Sequence, residues 1–165
     1  MRHEHSYAVT VEWLGNRGTG TSGYRDYGRE HVVRAEGKHE LEGSSDRVFH
    51  GNADRWNPEE LLLAALSQCH LLSYLHVAAS AGVVVTGYTD AAVGTMVQTP
   101  DGGGRFTSAT LRPRVTIASG DAQLARSLHA DANAKCFIAA SVNFPVHHEP
   151  EIVLETALEG ADGDI

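Results

Sequence analysis

Apolar residues occupy every second position from Tyr7 to Trp13, and polar or small residues separate them. A period of two is typical of a strand with one buried face. A glycine-rich turn follows, so we expect a second strand from about Thr21 that forms a hairpin with the first. A weaker strand is predicted over residues 31–35.

The strongest helix signal in the chain begins at Asn57. Asn57 suits the N-cap, Pro58 suits the first helical position, and Glu60 stands where a capping box requires it. The helix is predicted to run from Pro58 to about Ala81, with Gly82 as its stop. Its first half is apolar on all sides, which is typical of a helix buried in a core or at a subunit interface.

The second half of the chain begins with a long hairpin. Two long strands are predicted over residues 87–99 and 105–118, and the glycine-rich segment 101–104 joins them. Asp121 is predicted to cap a second helix that runs to about Lys135.

The C-terminal elements are shorter. Residues 137–142 suit a short helix, and Ile152 to Leu158 suits a closing strand. The acidic segment 159–165 is expected to be a frayed tail. No linker divides the chain, so residues 1–165 are predicted to form a single domain.

Composition and charge narrow the function classes. The chain has 165 residues, a formal net charge of −8 and only two lysines. Without a basic cluster, nucleic acid and anionic membrane surfaces are poor candidate partners. No apolar run has the length of a membrane span and the N-terminus lacks a signal peptide, so a cytoplasmic protein is expected.

The two cysteines are the first candidates for chemistry. Cys69 lies in the middle of the long helix and Cys136 follows the second helix. Both are either buried, inert thiols or a redox pair, because a permanent disulfide is not expected in a reducing compartment. The sequence leaves open whether the sulfurs meet. If they do, one thiolate becomes a sulfenic acid and the other thiol resolves it.

A cysteine that attacks a peroxide needs a cationic neighbour, and arginine keeps its charge when it is desolvated. An arginine in an apolar site needs a carboxylate partner, for which Glu59 is the obvious choice. Glu59 precedes Cys69 by ten residues, which is ~15 Å along a helix. If both residues serve one site, either Glu59 comes from a second subunit or a long arginine bridges the gap, and we expect the site to lie at a subunit interface. The candidate arginines before the helix are Arg17, Arg25, Arg29, Arg47 and Arg55.

Other kinds of site receive less support. Histidines 70, 76, 147 and 148 supply donor atoms, but no CxxC, HxxxH or HExxH pattern orders them as metal ligands. There is also no phosphate-binding loop or nucleophile elbow. We therefore expect no metal and no bound cofactor.

Two segments resemble a known family. Residues 57–70, NPEELLLAALSQCH, resemble the NPEELL…C signature of the OsmC/Ohr family of organic hydroperoxide-reducing proteins. Residues 135–143, KCFIAASVN, resemble the segment of that family that holds the second cysteine. The likeness covers roughly residues 6–158. It implies an α+β fold in which long antiparallel hairpins pack on a central cysteine-bearing helix, and an intertwined homodimer.

The resemblance also implies roles for individual residues. Cys69 would be the peroxidatic cysteine, Cys136 the resolving one, and Glu59 the residue that orients a catalytic arginine. An external dithiol, often of lipoyl type, would reduce the resulting disulfide.

The resemblance is less direct for the arginine. Branches of the family take it from the first hairpin turn, which would be Arg17, or from the loop before the helix, where Arg47 is nearest. The chain also resembles a branch of the family with a Tyr-x-x-Tyr-x-Arg-x-His pattern, here residues 24–31, and this resemblance favours Arg29. His50 stands where related sequences are expected to have arginine.

The sequence therefore predicts a thiol-dependent peroxidase that acts on organic hydroperoxides. One alternative is a redox-sensing or ligand-binding protein on the same scaffold that turns over negligibly. A structural domain with two inert thiols and a metal-dependent hydrolase are further alternatives.

Overall fold

The computed structural model describes residues 3–155, which form a mixed α+β fold of two α-helices and three three-stranded sheets. The chain separates into two compact units, residues 1–62 and 63–165. The single domain predicted for residues 1–165 stays a prediction. The tail at 159–165 lies outside the described residues.

The first unit contains a small antiparallel sheet. Its strands β1 (Thr10–Trp13), β2 (His31–Arg34) and β3 (Leu41–Gly43) pair in that order. Because β1 pairs with β2, the hairpin predicted with a strand from Thr21 is wrong. Residues 14–30 form a long loop instead.

Glycine and asparagine explain why extended structure stops after β1. Gly18 and Gly20 adopt φ angles of 111° and 58°, in the region that favours glycine. The Asn16 Oδ1 atom accepts hydrogen bonds from both of their amides, at 2.9 and 3.0 Å. The predicted burial of β1 is also wrong, since Val11 is 62% exposed.

Helix α1 (Pro58–Ser80) carries Cys69 and begins as predicted. The Glu60 amide donates to Asn57 Oδ1 at 2.8 Å, and the Asn57 amide donates to Glu60 Oε2 at 3.3 Å, so the capping box is confirmed. Gly82 follows the helix with φ 75°, as a helix stop requires.

By length and composition alone, α1 is long and apolar enough to cross a bilayer, which differs from the expectation drawn from the sequence. Core helices of soluble proteins meet the same criterion, so this is weak evidence for a membrane span. Leu66 and Tyr74 of α1 are fully buried inside the protein.

The second unit contains two sheets built around a long, broken hairpin. Each predicted long strand is split in two, at residues 91–92 and at Arg112, and the halves belong to different sheets. The Asp90 Oδ1 atom accepts the Arg112 amide at 2.6 Å where the halves separate. One sheet has the order β4 (Val84–Asp90), β7 (Pro113–Ser119), β9 (Glu151–Leu154), and the other β5 (Val93–Gln98), β6 (Gly104–Leu111), β8 (Val146–His148).

The inner pairs β4–β7 and β5–β6 are antiparallel, whereas β8 and β9 add in parallel to β6 and β7. The glycine-rich segment 101–104 connects β5 to β6 at the predicted hairpin. Strand β9 is the predicted closing strand, and residues 156–158 of that prediction lie outside the described part of the chain.

Helix α2 (Ala122–Ala134) begins where the sequence predicts. The Asp121 Oδ1 atom accepts the Leu124 amide at 2.7 Å and caps the helix. A short 3₁₀ helix, Ala139–Ser141, lies within the predicted helical segment 137–142.

An apolar core in the second unit fixes α1 and α2. Fully burying one of its large side chains contributes about 1.5–3 kcal/mol. Its buried members are Tyr74, Val77, Ala78, Val83, Val115, Ile117, Ala125, Leu128 and Ala132.

Candidate functional site

The structure brings the two cysteines together inside the second unit. Cys69 is half-buried on α1, and Cys136 is 2% exposed, two residues after the end of α2. Both are free thiols, and Cys69 lies close enough to Cys136 to shift the pKa of that thiol. The sequence left this proximity open, because the two residues are far apart along the chain.

The environment of Cys136 keeps it protonated at neutral pH. Burial, followed by the neighbouring Cys69 side chain, raises the pKa of Cys136 to about 11. The Ala139 amide donates to Cys136 Sγ at 3.4 Å and opposes this shift only in part. Cys136 is therefore not the residue that carries a thiolate at neutral pH. Of the two cysteines, Cys69 is the more exposed.

A hydrogen bond two residues before Cys69 fixes this part of α1. The Ser67 hydroxyl donates to Asp90 Oδ2 at 2.5 Å, at the end of β4. The helix is therefore fastened to the sheet close to the cysteine pair.

Next to the cysteine pair is a buried histidine cluster, made of His70, His129 and His148. His70 is 0% exposed and His129 is 3% exposed. Nε2 of His70 and Nδ1 of His129 share a hydrogen bond at 2.9 Å. The His148 ring lies 4.3 Å from the His70 ring. Sequence reasoning missed His129, although it lies beside Leu128 on the apolar stripe of α2.

The histidines of this cluster are neutral at physiological pH. Burial is the main cause that lowers the pKa of His70 to about 3 and that of His129 to about 4, and it also lowers the pKa of His148. Among residues 3–155, no group of three or more histidine, cysteine or acidic side chains is placed to hold a metal ion.

Arg29 lies in the first unit and is held by its own loop. Its guanidinium donates to the carbonyls of Tyr27 and Tyr24, at 2.6 and 2.7 Å. It also lies over both tyrosine rings, 4.0 and 4.7 Å from their centroids. The residues of the Tyr-x-x-Tyr-x-Arg pattern therefore contact one another.

Arg29 shares an open cavity of about 290 Å³ with Arg17, Arg25, Tyr27 and His50. In the part of the chain that the structure describes, none of these three arginines has a carboxylate within 4.0 Å. The backbone of His50 is left-handed, with φ 65°.

The remaining candidates, Arg47, Arg55 and Glu59, lie in the first unit, where Arg55 pairs with Glu42 at 3.3 Å. Arg47 is exposed on a short 3₁₀ helix, and Glu59 lies in the first turn of α1, where no ion pair with a described residue is formed. The pairing of Glu59 with an arginine stays a prediction, as does the catalytic role of Arg29.

Comparisons with known proteins agree with the family suggested by the sequence. A family model described as OsmC-like protein matches residues 51–151. No protein of curated function matches the chain.

Solved structures share the fold. An OsmC-like protein of unknown function from Vibrio cholerae is 28% identical, with a TM-score of 0.78 over 89% of this chain and 99% of that one. An organic hydroperoxide resistance protein from Elizabethkingia anophelis is 19% identical, with a TM-score of 0.63 over 93% and 100%. An organic hydroperoxide resistance protein OsmC from Legionella pneumophila is 18% identical, with a TM-score of 0.62 over 91% and 99%. Because the last two proteins are less than 25% identical to this chain, their similarity shows the fold alone.

Proposed function

Because the chain belongs to the OsmC-like protein family, we propose that it is a thiol-dependent peroxidase that reduces organic hydroperoxides. The observation that carries the proposal is that a half-buried Cys69 lies near a buried Cys136 and shifts its pKa. Both residues lie in the second unit, on or next to helices fixed by its core. The names of two structural relatives favour organic hydroperoxides as substrates.

The proposed reaction has two steps at sulfur. The Cys69 thiolate attacks the distal peroxide oxygen, the O–O bond breaks, and an alcohol leaves after it takes up a proton. The sulfur of Cys136 then attacks the Cys69 sulfenic acid, and water leaves as the disulfide forms. An external dithiol, of lipoyl type, exchanges with the disulfide and restores both thiols.

The division of roles follows from burial. The peroxide must reach the attacking sulfur, and Cys69 is the more exposed of the two. The raised pKa of Cys136 keeps that residue a thiol until a sulfenic acid is present beside it. This order prevents the resolving cysteine from being oxidised first.

We further propose that Arg29 stabilises the Cys69 thiolate and that Glu59 orients this arginine, as in the family that the sequence resembles. The active protein is proposed to be a cytoplasmic homodimer. Large apolar side chains support a partner subunit, since Val11, Leu72 and Phe137 are 62%, 65% and 81% exposed. Light scattering of the purified protein tests the dimer directly.

The first test is intact-mass spectrometry after one equivalent of cumene hydroperoxide. The wild-type protein should lose two mass units, and the loss should map to a Cys69–Cys136 disulfide. Cys69→Ser should remain unmodified, and Cys136→Ser should consume one equivalent and stop. Two unmodified thiols in the wild-type protein would refute the proposal.

Steady-state turnover separates the peroxidase from a redox sensor on the same scaffold. With dihydrolipoamide supplied, the peroxidase should consume many equivalents of hydroperoxide per subunit. Disulfide formation without sustained consumption would favour the sensor.

A further inference from the structure

The interface between α1 and α2 is arranged in polar layers that begin at the cysteine pair. Helix α1 contributes one residue to every layer, and α2 or the segment directly after it contributes the other, so the layers move forward along α1 as they move backward toward the start of α2. The second layer is the 2.9 Å hydrogen bond between the imidazoles of His70 and His129. The third layer is the hydrogen bond that the Tyr74 hydroxyl donates to the carbonyl of Ala125, also at 2.9 Å. In order, the layers are Cys69–Cys136, His70–His129 and Tyr74–Ala125.

The imidazole layer is tightly confined. The Tyr74 ring stacks on His129 with 4.0 Å between centroids and 15° between planes. The His148 ring covers His70 from β8, with a centroid distance of 4.3 Å. Because His70 directly follows Cys69 and His129 lies on α2 just before the segment that carries Cys136, a displacement of this layer would also displace the sulfurs.

The shared hydrogen bond leaves one N–H of the two histidines unused. Each neutral imidazole carries one N–H, and the shared hydrogen bond uses only one of the two. The other is carried by Nδ1 of His70 or Nε2 of His129, and both atoms are buried without a hydrogen-bond partner among the described residues. An unsatisfied buried donor costs about 1–3 kcal/mol, which two apolar side chains would avoid.

We propose that His70 and His129 are positioning residues whose hydrogen bond sets the spacing of α1 and α2, so that Cys136 reaches the sulfur of an oxidised Cys69. The inference rests on the proposed function, because its consequence is the rate at which the Cys69 sulfenic acid becomes a disulfide. Disulfide closure requires an S–S distance of about 2.05 Å, and a misplacement of ~1 Å slows such a step by about a hundredfold.

Slow formation of the Cys69–Cys136 disulfide can be detected from an oxidation product of Cys69. A sulfenic acid that waits for Cys136 is exposed to a second hydroperoxide, which transfers one oxygen to sulfur and leaves as an alcohol. The product is a sulfinic acid at Cys69, about 32 mass units heavier than the thiol. Hyperoxidation therefore reports how well Cys136 reaches Cys69, and the rate at which the Cys69 thiol is lost measures the first attack separately.

Two sets of variants separate positioning from stability. The double variant His70→Gln, His129→Asn, called the Gln–Asn protein, keeps amide groups near the two bonded nitrogens. The double variant His70→Leu, His129→Leu, called the Leu–Leu protein, removes both the hydrogen bond and the unsatisfied N–H. Within one position, His129→Asn keeps the polar atom in place and His129→Gln moves it one methylene further out. His76→Leu, exposed on the same helix, is the matched control.

The experiment is rapid quenching after cumene hydroperoxide, with intact mass resolving thiol, disulfide and sulfinic acid. The Leu–Leu protein should melt at or above the wild-type temperature, yet close its disulfide at least tenfold more slowly and accumulate sulfinic acid. The Gln–Asn protein and His76→Leu should close as the wild type does. Closure within twofold of wild type in the Leu–Leu protein would overturn the proposal, as would equal slowing in His76→Leu.

Two provisions keep the test decisive. If the Leu–Leu protein does not fold, slow closure in His129→Gln and normal closure in His129→Asn support the proposal, and equal rates overturn it. If the wild-type protein forms no disulfide with hydroperoxide, the peroxidase proposal fails. Positioning is then tested with diamide, a diazene that oxidises two thiols to a disulfide as it becomes a hydrazine, and the same order of closure rates is expected.

Discussion

The two units of this chain are built differently. The first contains strands of three or four residues, and every residue of β1 is exposed. Its long loop is ordered by hydrogen bonds to glycine amides and by the contacts of Arg29 with two tyrosines. The second unit contains the apolar core, and the cysteine pair lies between the middle of α1 and the end of α2.

The difference in packing between the two units matches what arginines and cysteines require from their surroundings. An arginine is charged in any environment, so a loop with little buried surface can present it. The reactivity of a thiol depends on burial, on its neighbours and on the distance to the second sulfur, all of which need a rigid frame. The cysteines accordingly lie where packing is dense, and the candidate arginines lie where it is sparse.

The largest stability contrast is expected between Leu66 and Val11. Leu66 is 1% exposed in the second unit, so Leu66→Ala should lower the free energy of unfolding by about 3 kcal/mol. Val11→Ala in the first unit should cost less than about 0.5 kcal/mol, since that side chain is 62% exposed. Urea unfolding measures both. A large, concentration-dependent cost at Val11 would show that an assembly buries β1.

The largest contrast in activity within the first unit is expected between two arginines of one cavity. Arg29→Ala should lower kcat/KM for cumene hydroperoxide about a hundredfold, because the thiolate would lose its cationic partner. Arg25→Ala is the matched control and should change the rate less than threefold. Equal rates for the two variants would contradict the role of Arg29, and Arg17→Ala and Arg47→Ala would then identify the arginine.

The buried histidines predict a stability that depends on pH. The pKa values of His70 and His129 are about 3 and 4 in the folded protein and near 6.5 in an unfolded chain. As the pH falls below 6.5 the unfolded chain binds protons that the folded protein does not, so stability is lost, by ~2 kcal/mol per histidine at pH 5. Thermal melts should show a smaller decrease between pH 7 and pH 5 for the His70→Gln, His129→Asn protein. Equal decreases would mean that the folded protein protonates these histidines.

The smallest effect is expected at the start of α1. Asn57→Ala removes the acceptor for the Glu60 amide and should cost about 1 kcal/mol. Asn57→Asp retains the acceptor and should cost less than half of that, measured by the same urea unfolding. Equal losses would show that the capping box contributes little to stability.

Local sequence signals predicted much of the fold. The capping box at Asn57, the stop at Gly82 and the cap at Asp121 are confirmed within one or two residues, because each depends on hydrogen bonds between near neighbours. The errors concern pairing over distance. The partner of β1, the division of the long hairpin between two sheets and the parallel addition of β8 depend on contacts that no local pattern encodes.

The sequence by itself determined which residues could take part in thiol chemistry, namely the cysteines and the arginines of the long loop. It also determined the helix that carries Cys69. Side-chain chemistry and helix capping are properties of short segments, so they can be predicted without a structure. Only the tertiary structure decided that Cys69 lies near Cys136, that Cys136 stays protonated, and that His70 and His129 share a hydrogen bond behind them. Those properties arise from burial and from contacts across more than fifty residues, which form when α1 packs against α2.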